Sequence, residues 1–325
     1  MHASRRTALK VLSAACTMTS LAAPRSGWAQ AYPARPVRIL VGFAPGGPAD
    51  TITRLVAQGL SEALHQPFIV DNRVGVDGMI ATTAVARAPG DGYMLLVTGP
   101  TYTFAPALTK AMPYDTARDF TAIAGLASSP LALLVRQESP IRSLADFIAQ
   151  ARQMPGKLSY GTGGRQPQLA GELFQQQAGI KLLNVPYKGS ALLRTDLIGG
   201  QVDCAVDVAS TNIELVESGK LRMLAVASAK RLERLPDVPT FTESGTGFDA
   251  QAWYGMLAPA GTPPAVIKLL NDAVNAVLSR PQFAKQTRDI GFQAMSGDAA
   301  SFQAFMNGEG KRWTQQAQAL GIVPQ

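Results

Sequence analysis

The chain has 325 residues, 46% of them hydrophobic, with 30 Lys and Arg against 23 Asp and Glu, two His and two Cys. Four of the bases, Arg5, Arg6, Lys10 and Arg25, fall in the first 31 positions, which hold no acid, so beyond them the formal charge drops by four, from +7 to +3. No basic stripe interleaved with aromatics remains to support a nucleic-acid partner, and with only His65 and Cys204 left of their kinds neither a His/Cys metal cluster nor an internal disulfide can be built.

The amino terminus reads as an export signal. Ser4-Arg5-Arg6-Thr7-Ala8-Leu9-Lys10 precedes an apolar run from Val11 to Ala23 that is too short to span a bilayer, and Ala29-Gln30-Ala31 offers small residues for cleavage near Ala31. The arginine pair fits a twin-arginine signal, but Ala8 stands where a bulky apolar residue is usual, so the general export route stays open. Ser13-Ala14-Ala15 ahead of Cys16 lacks the leucine of a lipoprotein signal. The remainder is long enough for two lobes and carries no other run of membrane-spanning length, so an exported, periplasmic monomer is expected.

Ile39-Leu40-Val41 is the first strand of the exported part, broken by Gly42, Pro45, Gly46, Gly47 and Pro48. The period then becomes helical through Ile52, Leu55, Val56, Leu60, Ala63 and Leu64, with Asp50 placed to cap the first turn and His65 at the helix end. Such a strand, tight turn and helix N-terminus aim backbone N–H groups at one spot, where the helix dipole also favours an anion. The alternative is an ordinary strand-to-helix loop. No Lys-Ser or Lys-Thr follows the glycines and no G-x-G-x-x-G spacing occurs, so neither a P-loop nor a dinucleotide fold is supported.

Alternation of strand and helix continues. Phe68 to Val70 is a strand, Met79 to Ala88 a helix and Tyr93 to Val97 a strand, with Thr98 to Tyr102 at its carboxyl end, where open α/β sheets bind ligands. A second lobe is expected to open near the strand Leu131 to Val135, followed by a helix capped by Ser143 and a strand Leu158 to Tyr160. A helix from Leu169 to Ala178 comes next, then strands at Leu182 to Val185, Cys204 to Val206 and Met223 to Val226. Trp253 to Leu257 reads as a strand returning to the first lobe, and helices from Pro264 to Leu278, Pro281 to Ile290 and Ala299 to Leu320 close the chain. This pattern gives an α/β fold, with residues 32–128 plus 252–325 as one lobe and 129–251 as the other.

Tyr160-Gly161-Thr162-Gly163-Gly164-Arg165 repeats the first design of strand, flexible turn and helix N-terminus. Two such corners facing each other across a cleft hold the two ends of one anion, with Thr162 offering a hydroxyl and Arg165 a planar fork for a carboxylate. As a loop residue Arg165 also reads as a solvated surface charge. Tyr187-Lys188-Gly189-Ser190 adds polar groups after another strand. No G-x-S-x-G elbow occurs, and Asp207 and Cys204, the best acid and nucleophile available, have no evident partner, so binding is expected rather than catalysis.

With both corners in view the chain resembles the Bug-type, or TctC-like, extracytoplasmic solute receptors of tripartite tricarboxylate transport systems. The resemblance runs from Tyr32 to the last helix, through Val41 to Gly47, Asp71-Asn72-Arg73, Asp91-Gly92-Tyr93, Pro113-Tyr114-Asp115 and Leu169 to Phe174. It continues through Val185 to Gly189, Gly199 to Val202, Leu235 to Pro239 and Ala258 to Thr262. It implies a two-lobed periplasmic-binding-protein fold of type II, each lobe a mostly parallel sheet flanked by helices, with the ligand cleft between them. No cofactor and no metal are expected. By position, the first ligand loop is Phe43, Ala44, Pro45, Gly46 and Gly47; Asp50, Thr98 and Thr101 are further ligand-binding candidates. The second is Gly161, Thr162, Gly163 and Gly164, and Asp207 is a candidate for a second polar end of the ligand.

The second loop departs from the family pattern. It is about two residues shorter, and Gln168 stands where His is usual before Leu-Ala-Gly-Glu, which brings Arg165 and Gln168 into question as ligand contacts. The resemblance implies capture of a small carboxylated solute and delivery to a membrane permease. A sensor that passes a carboxylate signal to a membrane partner, or an enzyme on the same fold, are the alternatives.

Overall fold

A computed structural model describes residues 32–322 and 324; the expected export signal at 1–31 lies outside the described residues. From Arg35 onward the chain forms one body. It opens with β1 (Val37–Val41), α1 (Pro48–Leu64), β2 (Phe68–Asn72), α2 (Met79–Ala86), β3 (Met94–Thr98) and α3 (Pro100–Leu108). β4 (Phe120–Arg136), α4 (Leu144–Gln153), β5 (Ser159–Thr162), α5 (Arg165–Ala178), β6 (Leu183–Pro186), α6 (Ser190–Ile198) and β7 (Cys204–Val208) follow. Then come α7 (Ile213–Glu217), β8 (Leu221–Val226), β9 (Gln251–Pro259), α8 (Pro264–Leu278), α9 (Pro281–Asp289), β10 (Gln293–Ala294) and α10 (Ala299–Ala319).

Two parallel clusters carry the glycine corners. β1 lies between β2 and β3, with Val41 level with Asn72 and Val97, so three strand ends emerge on one edge. In the other cluster β5 lies between β6 and β7, Thr162 level with Pro186 and Val206. β9 and β4 run antiparallel between the clusters. β9 pairs β3, while β4 pairs β9 from Phe120 to Pro130 and then β7 and β8 from Leu131 onward. Apolar patterning explains the depth of these strands: Ile39, Leu40, Val41, Leu95, Leu96 and Val97 are fully buried, as strands covered on both faces require.

One core packs Leu40, Leu96, Trp253, Leu257 and Phe302, and another packs Leu133, Phe147, Tyr160, Phe174 and Phe241. α10 serves both, placing Phe302 and Met306 in the first and Trp313 and Ala317 in the second.

Several expectations need correction. β4 begins at Phe120, eleven residues before the expected Leu131, because Ala, Gly and Ser interrupt the few β-favouring residues of its first half and leave no continuous apolar run. α5 begins at Arg165, four residues before the expected Leu169; Pro167 sits in its first turn, where a missing N–H is harmless. α3 and α6 are unexpected helices: only Thr98 to Tyr102 and Tyr187 to Ser190, where they begin, are read from the sequence, as ligand-side or polar groups after a strand. Pro264–Leu278 forms as expected, Ser143 caps α4 by accepting from Asp146 N at 3.1 Å, and His65 closes α1 in the left-handed region at φ 52°. No described helix is long and apolar enough to cross a membrane.

Candidate ligand-binding site

The first corner is braced from below. The residue preceding α1 is Gly47, and Asp50, three positions on, turns back so that Oδ2 accepts from Gly46 N at 2.9 Å and from Arg54 Nε at 2.9 Å. Asn72, at the end of β2, donates to Asp50 Oδ1 at 2.9 Å and to the Phe43 carbonyl at 3.1 Å. Asp50 is thus buried as the corner's internal fastener rather than its cap. Burial alone would raise its carboxyl, but the bonds from Arg54, Gly46 and Asn72 outweigh this and hold it below the ordinary carboxylate range. Ala44, Pro45 and Gly46 stand exposed, and Gly46 needs its hydrogen side chain, with φ +78° and open space where a Cβ would project.

Phe43 leads to the next wall. Its ring meets Tyr254 of β9 edge-on at 5.7 Å, and a Cβ on Gly99 would fall 3.4 Å from Phe43 and 3.5 Å from Tyr254. Thr98, buried beside Gly255 across the β3–β9 pair, and Thr101, in the first turn of α3, flank this point. Desolvation raises the Tyr254 phenol above its usual value, and the Asp207 carboxylate adds to the rise, so Tyr254 remains a neutral hydroxyl near that acid.

Asp207 lies within β7, level with Ala132 of β4, not after the strand, and is only 1% exposed. Oδ1 accepts from Ser190 Oγ at 2.7 Å, and Oδ2 from Asn212 Nδ2 at 3.0 Å and Thr211 Oγ1 at 3.5 Å. The second corner reaches this acid through Ser190, since a Cβ on Gly163 would lie 2.6 Å from Ser190 Oγ and 2.8 Å from its backbone N. Gly161 is buried just as closely against Leu193, and Thr162 turns its hydroxyl to Asn184 Oδ1 at 3.2 Å. Gly164 and Arg165 are exposed at the start of α5, while Gln168 donates to Glu172 at 3.0 Å.

A cavity of about 450 Å³ lies between the first corner and the segments around α6 and after β7; the second glycine corner, Asp207 and Tyr254 are not among its lining. Gly46, Pro48 and Thr51 of the first corner line it together with Arg194 of α6 and with Ser210 and Thr211 after β7. Arg234, which also lines it, is occupied by Glu217 and by the Asp289 carbonyl at 2.8 Å. The volume suits a small molecule.

Residues 52–322 match the tripartite tricarboxylate transporter family receptor model. The chain belongs to this family. BugT of Bordetella pertussis is 34% identical over 310 residues, covering 94% of each chain. Among solved structures, R. palustris Rpa4515 with adipate is 37% identical with a TM-score of 0.82, covering 90% of this chain and 100% of that one. MatC from Rhodopseudomonas palustris with bound malate is 30% identical with a TM-score of 0.76, covering 88% and 99%. The fold of this receptor is therefore the two-lobed periplasmic solute-binding fold, with the antiparallel strands β4 and β9 between its parallel clusters.

Sequence reasoning about the receptor missed Tyr254, Arg194 and Ser210, and read Ser190 only as one of several polar groups after a strand. Tyr254 was legible only as an inward position of a strand. Arg194 and Ser210 fall on α6 and a short helical turn that has no apolar period of its own, so nothing in the sequence ties them to the first corner.

Proposed function

We propose that this protein is a periplasmic receptor that captures a small carboxylate-bearing solute between its lobes and presents it to a membrane permease of a tripartite tricarboxylate-type system. The observation that carries this reading is the cavity that joins the exposed backbone of the first glycine corner to polar side chains of α6 and the segment after β7. Backbone N–H groups at a helix start take a carboxylate without needing a cation of their own. The relatives solved with adipate and malate support an acid of this size.

The proposed ligand contacts are Phe43, Ala44, Pro45, Gly46 and Gly47, with Thr98 and Thr101 beside them, and Gly161, Thr162, Gly163 and Gly164 with Arg165, Gln168 and Asp207 on the other part. Asp50 contributes by fixing Gly46. We take the lobes as 32–128 plus 252–325 and 129–251; the two chain passages then lie side by side where Ser129 of β4 is level with Ala252 of β9, a geometry suited to hinge closure. Binding without turnover fits the state of Cys204, whose thiol is buried in the core, raised well above its ordinary pKa by that burial, and far from nucleophilic.

Calorimetric titration of the purified protein and its Gly46→Val variant with adipate and malate tests the reading. Heat of binding in the unsubstituted protein and its loss in the variant is expected, since Val at φ +78° projects into the open space a ligand would use. Equal binding by both would remove the first corner from the site.

A further inference from the structure

The cavity holds one cation whose hydrogen-bonding capacity is unspent. Arg194 projects from α6 with its Nη1 enclosed and without a hydrogen-bond partner. Asp207 Oδ2, the acid it faces, stands 4.0 Å away, beyond hydrogen-bond range, and already accepts from Asn212 while Oδ1 accepts from Ser190. Arg234 on the same wall differs, being paired with Glu217. The remaining acids of the wall, Glu214 and Asp289, are exposed, and Asp289 is paired with Lys285 at 2.7 Å.

A second orphan lines the same cavity. Ser210 is only 9% exposed, its N–H is committed to Ser129 Oγ at 3.2 Å, and its own Oγ has no partner. Enclosed polar groups are normally satisfied, because leaving one unpaired costs much of its hydration. A guanidinium carries donors only, so what completes this wall must be an acceptor, and its planar fork matches a carboxylate.

We propose that Arg194 and Ser210 form a second anion subsite, which selects solutes carrying a carboxylate at each end. The first corner takes one carboxylate on backbone groups, and Arg194 takes the other after a small displacement away from Asp207. Asp207 keeps its bonds to Ser190 and Asn212 throughout, so it acts as the fixed counter-charge that holds the guanidinium near the cavity. This inference rests on the carboxylate-receptor reading above and adds the basis of its selectivity.

The test is calorimetric titration with succinate, glutarate and adipate, each compared with the monocarboxylate of equal chain length, butyrate, pentanoate and hexanoate. The unsubstituted protein should prefer at least one diacid over its partner monoacid. Arg194→Leu should weaken that diacid about tenfold or more, the loss expected for a charged hydrogen bond, while changing the monoacid less than twofold. Ser210→Ala removes no side-chain hydrogen bond of the free protein and should weaken the diacid severalfold with an unchanged melting temperature; it decides the matter if Arg194→Leu fails to fold. A diacid-to-monoacid ratio that survives either folded variant overturns the subsite while leaving the receptor reading standing. Equal loss of both acids overturns it too, as a structural effect of Arg194. Binding of no acid by the unsubstituted protein overturns both.

Discussion

Ser190 Oγ donates a 2.7 Å hydrogen bond to Asp207 Oδ1, and the Cβ that any larger residue would place at Gly163 falls 2.6 Å from that same hydroxyl oxygen. The second glycine corner, the start of α6 and the buried acid of β7 are therefore one packed unit. Gly163 is a site of close approach rather than of unusual backbone.

Gly163→Ala should push the start of α6 outward and break the Ser190–Asp207 bond. Overpacking of this kind costs about 1–3 kcal/mol of stability. Affinity for adipate should fall about tenfold in parallel, because Arg194 moves with α6. Calorimetry and urea unfolding check both; an unchanged affinity would detach the second corner from the site.

Asp50→Ala should loosen the first corner by removing the acceptor for Gly46, Arg54 and Asn72. The expected loss is about 1–3 kcal/mol at neutral pH. Because the folded carboxyl titrates below its unfolded value of about 3.9, its contribution is present above that pH and disappears as pH falls through the folded value. The stability gap between the protein and the variant, read from urea midpoints, should thus narrow below about pH 4. A gap independent of pH would mean that the carboxylate charge is not what fastens the corner.

Val76 is 66% exposed with φ +46°, beside Asp77 at φ +53°, in the turn that passes against Gly42 through Gly78. A β-branched residue is ill suited to that conformation. Val76→Asn, which tolerates it and surrenders little buried surface, should raise stability by about 1 kcal/mol. A fall in the melting temperature would show that the Val76 side chain packs on something that its exposure does not reveal.

Arg165 is exposed at the first position of α5. If it reaches a bound carboxylate, Arg165→Ala should weaken adipate by about 1.5–3 kcal/mol. A change within twofold would assign the distal carboxylate to the α6 wall alone.

The fold was readable because its signals are local. Apolar runs such as Leu95 to Val97, the glycine breaks after β1 and β5, and prolines at the first position of α8 and α9 each mark an element by their own chemistry. The two corners were readable for the same reason. Asp50 was legible as important but not as a fastener, since its partner Asn72 lies 22 residues away at the end of β2. Arg194 and Ser210 gain meaning only when the α6 and β7 segments meet Gly46 around one cavity, a long-range juxtaposition that no periodicity records.

The most direct test of the central claim is a thermal-shift screen of the purified protein against mono-, di- and tricarboxylates, amino acids and aromatic acids, with each hit recovered and checked for chemical change. Ligand at 100 times its dissociation constant adds about 2.7 kcal/mol, enough to raise the melting temperature by several degrees. Stabilisation by a few small carboxylates recovered unchanged is the expected result. No stabilisation by any acid, in protein unfolded and refolded to strip retained ligand, would contradict the receptor reading, and a hit recovered as a different compound would replace it with an enzyme.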